Sequence, residues 1–262
     1  MIARLAVTVG LHFTALAIHE VGHAVFGVLA GFRLRLLGVG PIGLESQESG
    51  LKLRRLPLRA WGPFATMRAE STERLESRLA WLLAGGPLTS LCVGIVCVGA
   101  SLLPGASRWW LAVGVLNLCV AVASGQPFIA TGAGVASDGR RVLDLWRDDP
   151  DARAAAALVA LDGQAAAGTR PAHWDPTLLR RAMQITKPTA FVLAAAVAAY
   201  RHATDTVGIA GAETEFAAVR EAYAMAPRWL RGDAAAEIAF RLAWVSGDLP
   251  RPDRISAMCE VH

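Results

Sequence analysis

The sequence predicts an α-helical polytopic membrane protein. Its expected parts are a three-span core with a small membrane-associated β-sheet, followed by an all-α C-terminal cytoplasmic domain. Three observations predict this. Apolar residues gather in bilayer-length blocks, arginines gather on one side of those blocks, and the second half is alanine-rich and broken by Gly, Pro and Asp. The totals agree: of 262 residues 54% are hydrophobic and only 18% charged, and mean hydropathy is +0.39. A soluble domain usually carries about 25% charged residues, and a disordered chain carries much charge and little apolar surface. Neither class fits.

The expected spans cover about 2–31, 79–103 and 109–136. The first holds Arg4 and the set His12, His19, Glu20 and His23 as its strongly polar members; the other two hold no charge. Each meets the roughly 20 residues needed to cross the hydrocarbon core. Trp81, Trp109 and Trp110 stand at block ends, where amphipathic rings favour the headgroup level. Helices of a soluble core of this length would show a polar stripe. The first block lacks the compact apolar core and small-residue cleavage site of a signal peptide, so it reads as a retained span.

Charge sets the expected orientation. Arg33, Arg35, Lys52, Arg54, Arg55, Arg59, Arg68, Arg74 and Arg78 lie between the first two blocks, and Arg140, Arg141 and Arg147 follow the third. The link between the second and third blocks carries only Arg108. By the positive-inside rule the 32–78 loop and the C-terminal half are cytoplasmic and the N-terminus is outside, in a bacterial inner or plasma membrane. Orientation accounts for the arginines, which mix with Glu70, Glu73 and Glu76, so the lipid bilayer rather than nucleic acid is the expected partner. Cys92, Cys97 and Cys119 lie in apolar blocks, Cys259 lies near the end, and no CxxC pair occurs. They read as small buried hydrophobes, not a disulfide framework or a cysteine zinc site.

Within the 32–78 loop, residues 32–37 and 51–56 alternate and are separated by Gly38, Gly40, Pro41 and Gly43, the pattern of a small sheet on the cytoplasmic side. Residues 61–64 read as a further turn and 67–78 as a short amphipathic lead into the second span. Composition changes near Asp148, giving expected domains 1–147 and 148–262. The alanine-rich stretches 151–167, 189–202, 212–226 and 233–246 favour helix. Residues 191–200 are apolar but half a bilayer long, so they read as a core helix. A cytoplasmic protein is the expected partner of 148–262.

The chemistry lies in His19-Glu20-Val21-Gly22-His23, which fits H-E-x-x-H. On a helix, i and i+4 share a face, so both imidazoles reach one metal ion. Glu20 reaches a water held there and acts as general base. Two His and a Glu inside an apolar span are costly to bury and are functional by default. Zinc catalysis uses three protein ligands and an open fourth position. For the third, Phe26 and Leu29 stand where a metzincin needs Gly and His, and Glu45 and Glu48 fall in a broken, basic loop. Asp138 is better placed, after the glycine-rich end of the third block and before a helix-like run, though it also reads as the N-cap of a 139–147 helix. His12 lies about 10 Å along the axis from His19, too far to share the ion.

Three stretches together resemble the site-2 protease-like intramembrane metalloproteases, peptidase family M50. Residues 17–25, AIHEVGHAV, resemble the family's H-E-x-G-H. Residues 84–91, AGGPLTSL, resemble its A-G-P-L-x-N-L. Ser137-Asp138-Gly139-Arg140-Arg141 is similar to its D-G motif. The resemblance covers roughly 10–146. It implies a Zn2+ cofactor held by His19, His23 and Asp138, with Glu20 as general base. It implies hydrolysis of peptide bonds in a membrane-anchored protein substrate near the cytoplasmic face, typically a single-pass protein already shortened by another protease, as in regulated proteolysis. The sheet is expected to present the substrate in extended form. Ser90 stands where the family usually has Asn, and Ser124-Gly-Gln-Pro127 where it often has Asn-x-x-Pro. Those asparagines position substrate in the family, so Ser90 and Ser124 are the candidate substrate-positioning residues. No PDZ-like insertion fits between the second and third blocks. The alternative from another class is a non-catalytic membrane adaptor with a vestigial metal site and a partner-binding helical domain.

Overall fold

The computed structural model describes residues 2–47, 50–57, 62–130, 135–186, 190–226 and 231–246. The chain forms two compact units, with the division after Asp149. The first unit is helical with one small sheet. Its opening helix α1 (Ile2–Leu29) has 28 residues. It stops at Gly31, whose φ of 80° is the left-handed conformation that closes helices and favours glycine. The carbonyls left over at that end are taken up by Arg78, which donates to Ala30 and Gly31 oxygens at 2.5 Å and to Ser71 oxygen at 3.0 Å.

Four antiparallel strands follow: β1 (Phe32–Val39), β2 (Ile42–Gln47), β3 (Gly50–Arg55) and β4 (Phe64–Ala69), in the order β3-β2-β1-β4. The expected alternation at 32–37 and 51–56 is therefore β1 and β3. The strand β4 occupies the start of the expected amphipathic lead, and the next helix begins only at Leu75. Of the expected turn at 61–64, Trp61 lies outside the described residues, and Phe64 already belongs to β4. The sheet lies beside α1 rather than beyond its end. The first strand doubles back beside the helix, so that Gly40 abuts the ring of Phe13 and Met67 of β4 covers Gly27. Eight strand residues rise about 26 Å, which matches the run of α1 from its end back to Phe13 at about 1.5 Å per residue.

Helices α2 (Leu75–Ser101) and α3 (Arg108–Gly125) are both long and apolar enough to cross a membrane. Only 39% and 17% of their apolar windows are buried, unlike helices enclosed in a soluble core. Leu91, Ile95, Val96, Trp109, Leu111 and Val122 point outward. Cys92 and Cys119 are exposed on the same helices, and of the three described cysteines only Cys97 is buried, against the expectation for all of them. The third apolar block does not stay helical to 136. Pro127 holds Gln126 extended, at φ −70° and ψ 136°, and closes the helix at Gly125. Two short strands, β5 (Ile129–Ala130) and β6 (Val135–Ala136), and helix α4 (Asp138–Trp146) follow.

Glycines set how closely the helices approach. A Cβ on Gly22 of α1 would stand 2.5 Å from the Gly85 carbonyl oxygen of α2, and one on Gly85 would stand 2.6 Å from that of Gly22. Small residues at such a crossing let two backbones touch. Gly85→Val is expected to lower stability by about 1–3 kcal/mol, the usual cost of overpacking. Thermal unfolding in detergent reads this, and an unchanged midpoint would contradict the crossing.

The second unit is built from α5 (Pro150–Ala166), α6 (Pro176–Ala182), α7 (Ala190–Val207), α8 (Glu213–Met225) and α9 (Gly232–Ser246). The apolar run at 191–200 lies in α7, whose Leu193, Val197 and Tyr200 join Phe216 and Val219 in the core. Arg241 is 2% exposed. It lies 4.4 Å over the Phe216 ring, donates to Ile209 oxygen at 2.7 Å and pairs with Glu213.

Candidate metal centre

Four side chains from two helices meet where α1 and α2 cross. His19 and His23 sit one turn apart on α1 and are 6% and 7% exposed; Glu20 between them is 7% exposed. Asp138 opens α4. Its alternative role as a helix cap is not realised, because Ser137 is the N-cap and its hydroxyl accepts from the Arg140 amide at 3.2 Å. The Asp138 carboxylate is thus free to turn inward. Gly139 makes this possible: it packs against the backbone of Gly125 more closely than any Cβ would allow.

Three ligand-type atoms form a nearly equilateral triangle. His19 Nε2 and His23 Nε2 are 3.1 Å apart, and Asp138 Oδ2 lies 3.2 Å from the first and 3.3 Å from the second. Ligands about 2.0–2.1 Å from a tetrahedral zinc ion stand about 3.3 Å from one another. The donors also have the right chemistry, two imidazoles and a carboxylate. His23 Nδ1 donates to Leu82 oxygen at 2.9 Å, which leaves the Nε2 lone pair facing the triangle. His19 Nδ1 lies 3.2 Å from Ser90 Oγ. The Gly86 position completes the cradle, since a Cβ there would stand 2.7 Å from His19 Nε2 and collide with His23. These residues fit a zinc ion.

Burial pushes the Asp138 carboxyl up, but the two imidazoles beside it outweigh this and hold it well below the ordinary range. Glu20 lies within electrostatic reach of His23, His19 and Asp138. His12 is exposed and lies outside the cluster.

The two serines are placed differently. Ser90 is completely buried, with its hydroxyl on His19. Ser124 returns its hydroxyl to Val120 oxygen at 2.9 Å in its own helix. Sequence reasoning passed over Gly86, although it lies inside the second motif, and Asn117, the one carboxamide of α3, which is also completely buried.

A centre of this kind, set among outward-facing apolar helices, points to a membrane-embedded metallopeptidase. The chain belongs to peptidase family M50, whose model matches residues 7–231. The match runs past the 10–146 stretch of the motifs into the second unit, so the resemblance is wider than those motifs suggest. No curated protein and no solved structure matches the chain.

Proposed function

We propose that the chain is an intramembrane zinc metalloendopeptidase of the site-2 protease type. It hydrolyses peptide bonds of a membrane-anchored protein near the cytoplasmic face. The observation that carries this reading is the triangle of His19 Nε2, His23 Nε2 and Asp138 Oδ2, with sides of 3.1–3.3 Å beside a buried glutamate. Bound there, zinc would supply Lewis acidity toward the scissile carbonyl and acidify the attacking water. His19, His23 and Asp138 hold the ion. Glu20 takes a proton from the water and returns it to the departing amine. The low exposure of Glu20 and the imidazoles keeps bulk water out and strengthens each charge in the site.

Three spans are proposed, with α1 joining α2 and α3. Its His12, His19, Glu20 and His23 dilute its apolar content, but inside a bundle His19, Glu20 and His23 face the site instead of lipid. The arginine distribution orients the core with the N-terminus outside and residues 148–262 in the cytoplasm as a separate helical domain open to a protein partner. A helical substrate shields its peptide bonds, so it must be extended to react. Among the described residues the outer edge of the 32–55 strands is β3, whose residues are all exposed, and it offers main-chain pairing for such a segment.

The test is cleavage of a single-pass model substrate by the purified protein in proteoliposomes. Cleavage is expected to stop when a zinc chelator is added and to return with added zinc. A zinc-loaded protein that leaves every such substrate intact would favour the adaptor.

A further inference from the structure

Asn117 is a buried polar group that this mechanism does not use. It is 0% exposed in a mostly apolar helix. Its Nδ2 donates to Val113 oxygen at 2.9 Å, which fixes the carboxamide, because only the amino side can donate to a carbonyl. Among the described residues its buried Oδ1 has no hydrogen-bond donor. An unpaired buried acceptor is unfavourable, and more so where the outer surface is apolar.

Ser90 poses the complementary problem. Ser124 and Thr14 return their hydroxyls to carbonyls of their own helix, at Val120 and Gly10, whereas the Ser90 hydroxyl lies against His19 Nδ1. When His19 Nε2 ligates a metal, Nδ1 carries the proton and donates to Ser90 Oγ. The Ser90 O–H is then a buried donor that needs an acceptor.

The helix packing brings donor and acceptor to neighbouring levels. Gly94 of α2 abuts Gly114 and Leu118 of α3, so Asn117 stands at the level of Gly94. Ser90 is one turn further along α2, about 6 Å in axial rise alone. Both residues lie on the buried stripes of their helices, Ser90 with Gly86 and Gly94, and Asn117 with Gly114 and Ala121.

Resting on the metal-centre reading above, we infer that Ser90 and Asn117 are positioning residues for His19. The Ser90 hydroxyl accepts from Nδ1 and donates through one buried water to Asn117 Oδ1. The pair holds the imidazole in its ligating tautomer and orientation. Outer partners of this kind alter metal affinity about 10–100-fold when removed.

The test is zinc affinity of the purified full-length protein in detergent, by competition with a chromogenic chelator. Ser90→Ala and Asn117→Leu are each expected to bind zinc about 10–100-fold more weakly. The double variant is expected to bind no more weakly than Ser90→Ala, since the second change acts through the first. A purely structural Asn117 would move the unfolding midpoint of the zinc-free protein and leave zinc affinity alone. Wild-type affinity in Asn117→Leu, or losses that multiply in the double variant, would overturn the inference. Asn117→Ala replaces Asn117→Leu if the latter does not fold. A wild-type protein that binds no zinc would instead overturn the metal-centre reading beneath it.

Discussion

Glu20→Gln is expected to keep its zinc and lose peptide cleavage by about 10²–10⁴-fold, the range that general acid–base catalysis contributes. The amide has nearly the shape of the carboxylate, so packing around a side chain that is 7% exposed is preserved. The ligand atoms belong to other residues. Glutamine, however, cannot accept a proton from water or deliver one to the leaving amine. The measurement is turnover of a model transmembrane substrate beside zinc content on the same preparation. Cleavage at the wild-type rate would remove Glu20 from the chemistry. Loss of zinc together with cleavage would mean that Glu20 supports the ion instead of moving the proton.

Asp138→Ala is expected to weaken zinc binding by more than about 100-fold, beyond the range reached when an outer partner is lost. It removes one of three ligand atoms and leaves the two imidazoles 3.1 Å apart with no neutralising carboxylate. The helix should survive, because the cap belongs to Ser137 and not to Asp138. That separation makes the variant informative: a cap variant would fray α4 and leave the metal in place, whereas a ligand variant does the reverse. Circular dichroism and unfolding of the zinc-free protein check the fold independently.

The parts legible in the sequence were those with a short period or a short motif. His19 and His23 share a face by helix spacing alone, and the strands at 32–39 and 50–55 follow from alternation and glycine breaks. Asp138 was legible as a candidate but not separable from a cap, because Ser137 and Asp138 are adjacent and either residue type caps a helix. Only the turn of the Asp138 carboxylate toward two imidazoles from a distant part of the chain decides between them. Gly86 and Leu82 were not legible for the same reason: one acts through the side chain it lacks and the other through its backbone oxygen, and both depend on how α1 crosses α2. The end of the third block was misjudged because composition stays apolar through 126–136, while Pro127 ends the helix by backbone geometry rather than polarity. The return of β1 along α1 is a tertiary contact at Phe13 and Gly40 that no local pattern announces.

The most direct measurement of the central claim is zinc per chain in wild type and Asp138→Ala, purified and dialysed identically. About one zinc per wild-type chain and almost none in the variant is the expected result for a three-ligand site with an open fourth position. Equal zinc in the two proteins would contradict it and would remove Asp138 from the ligand set.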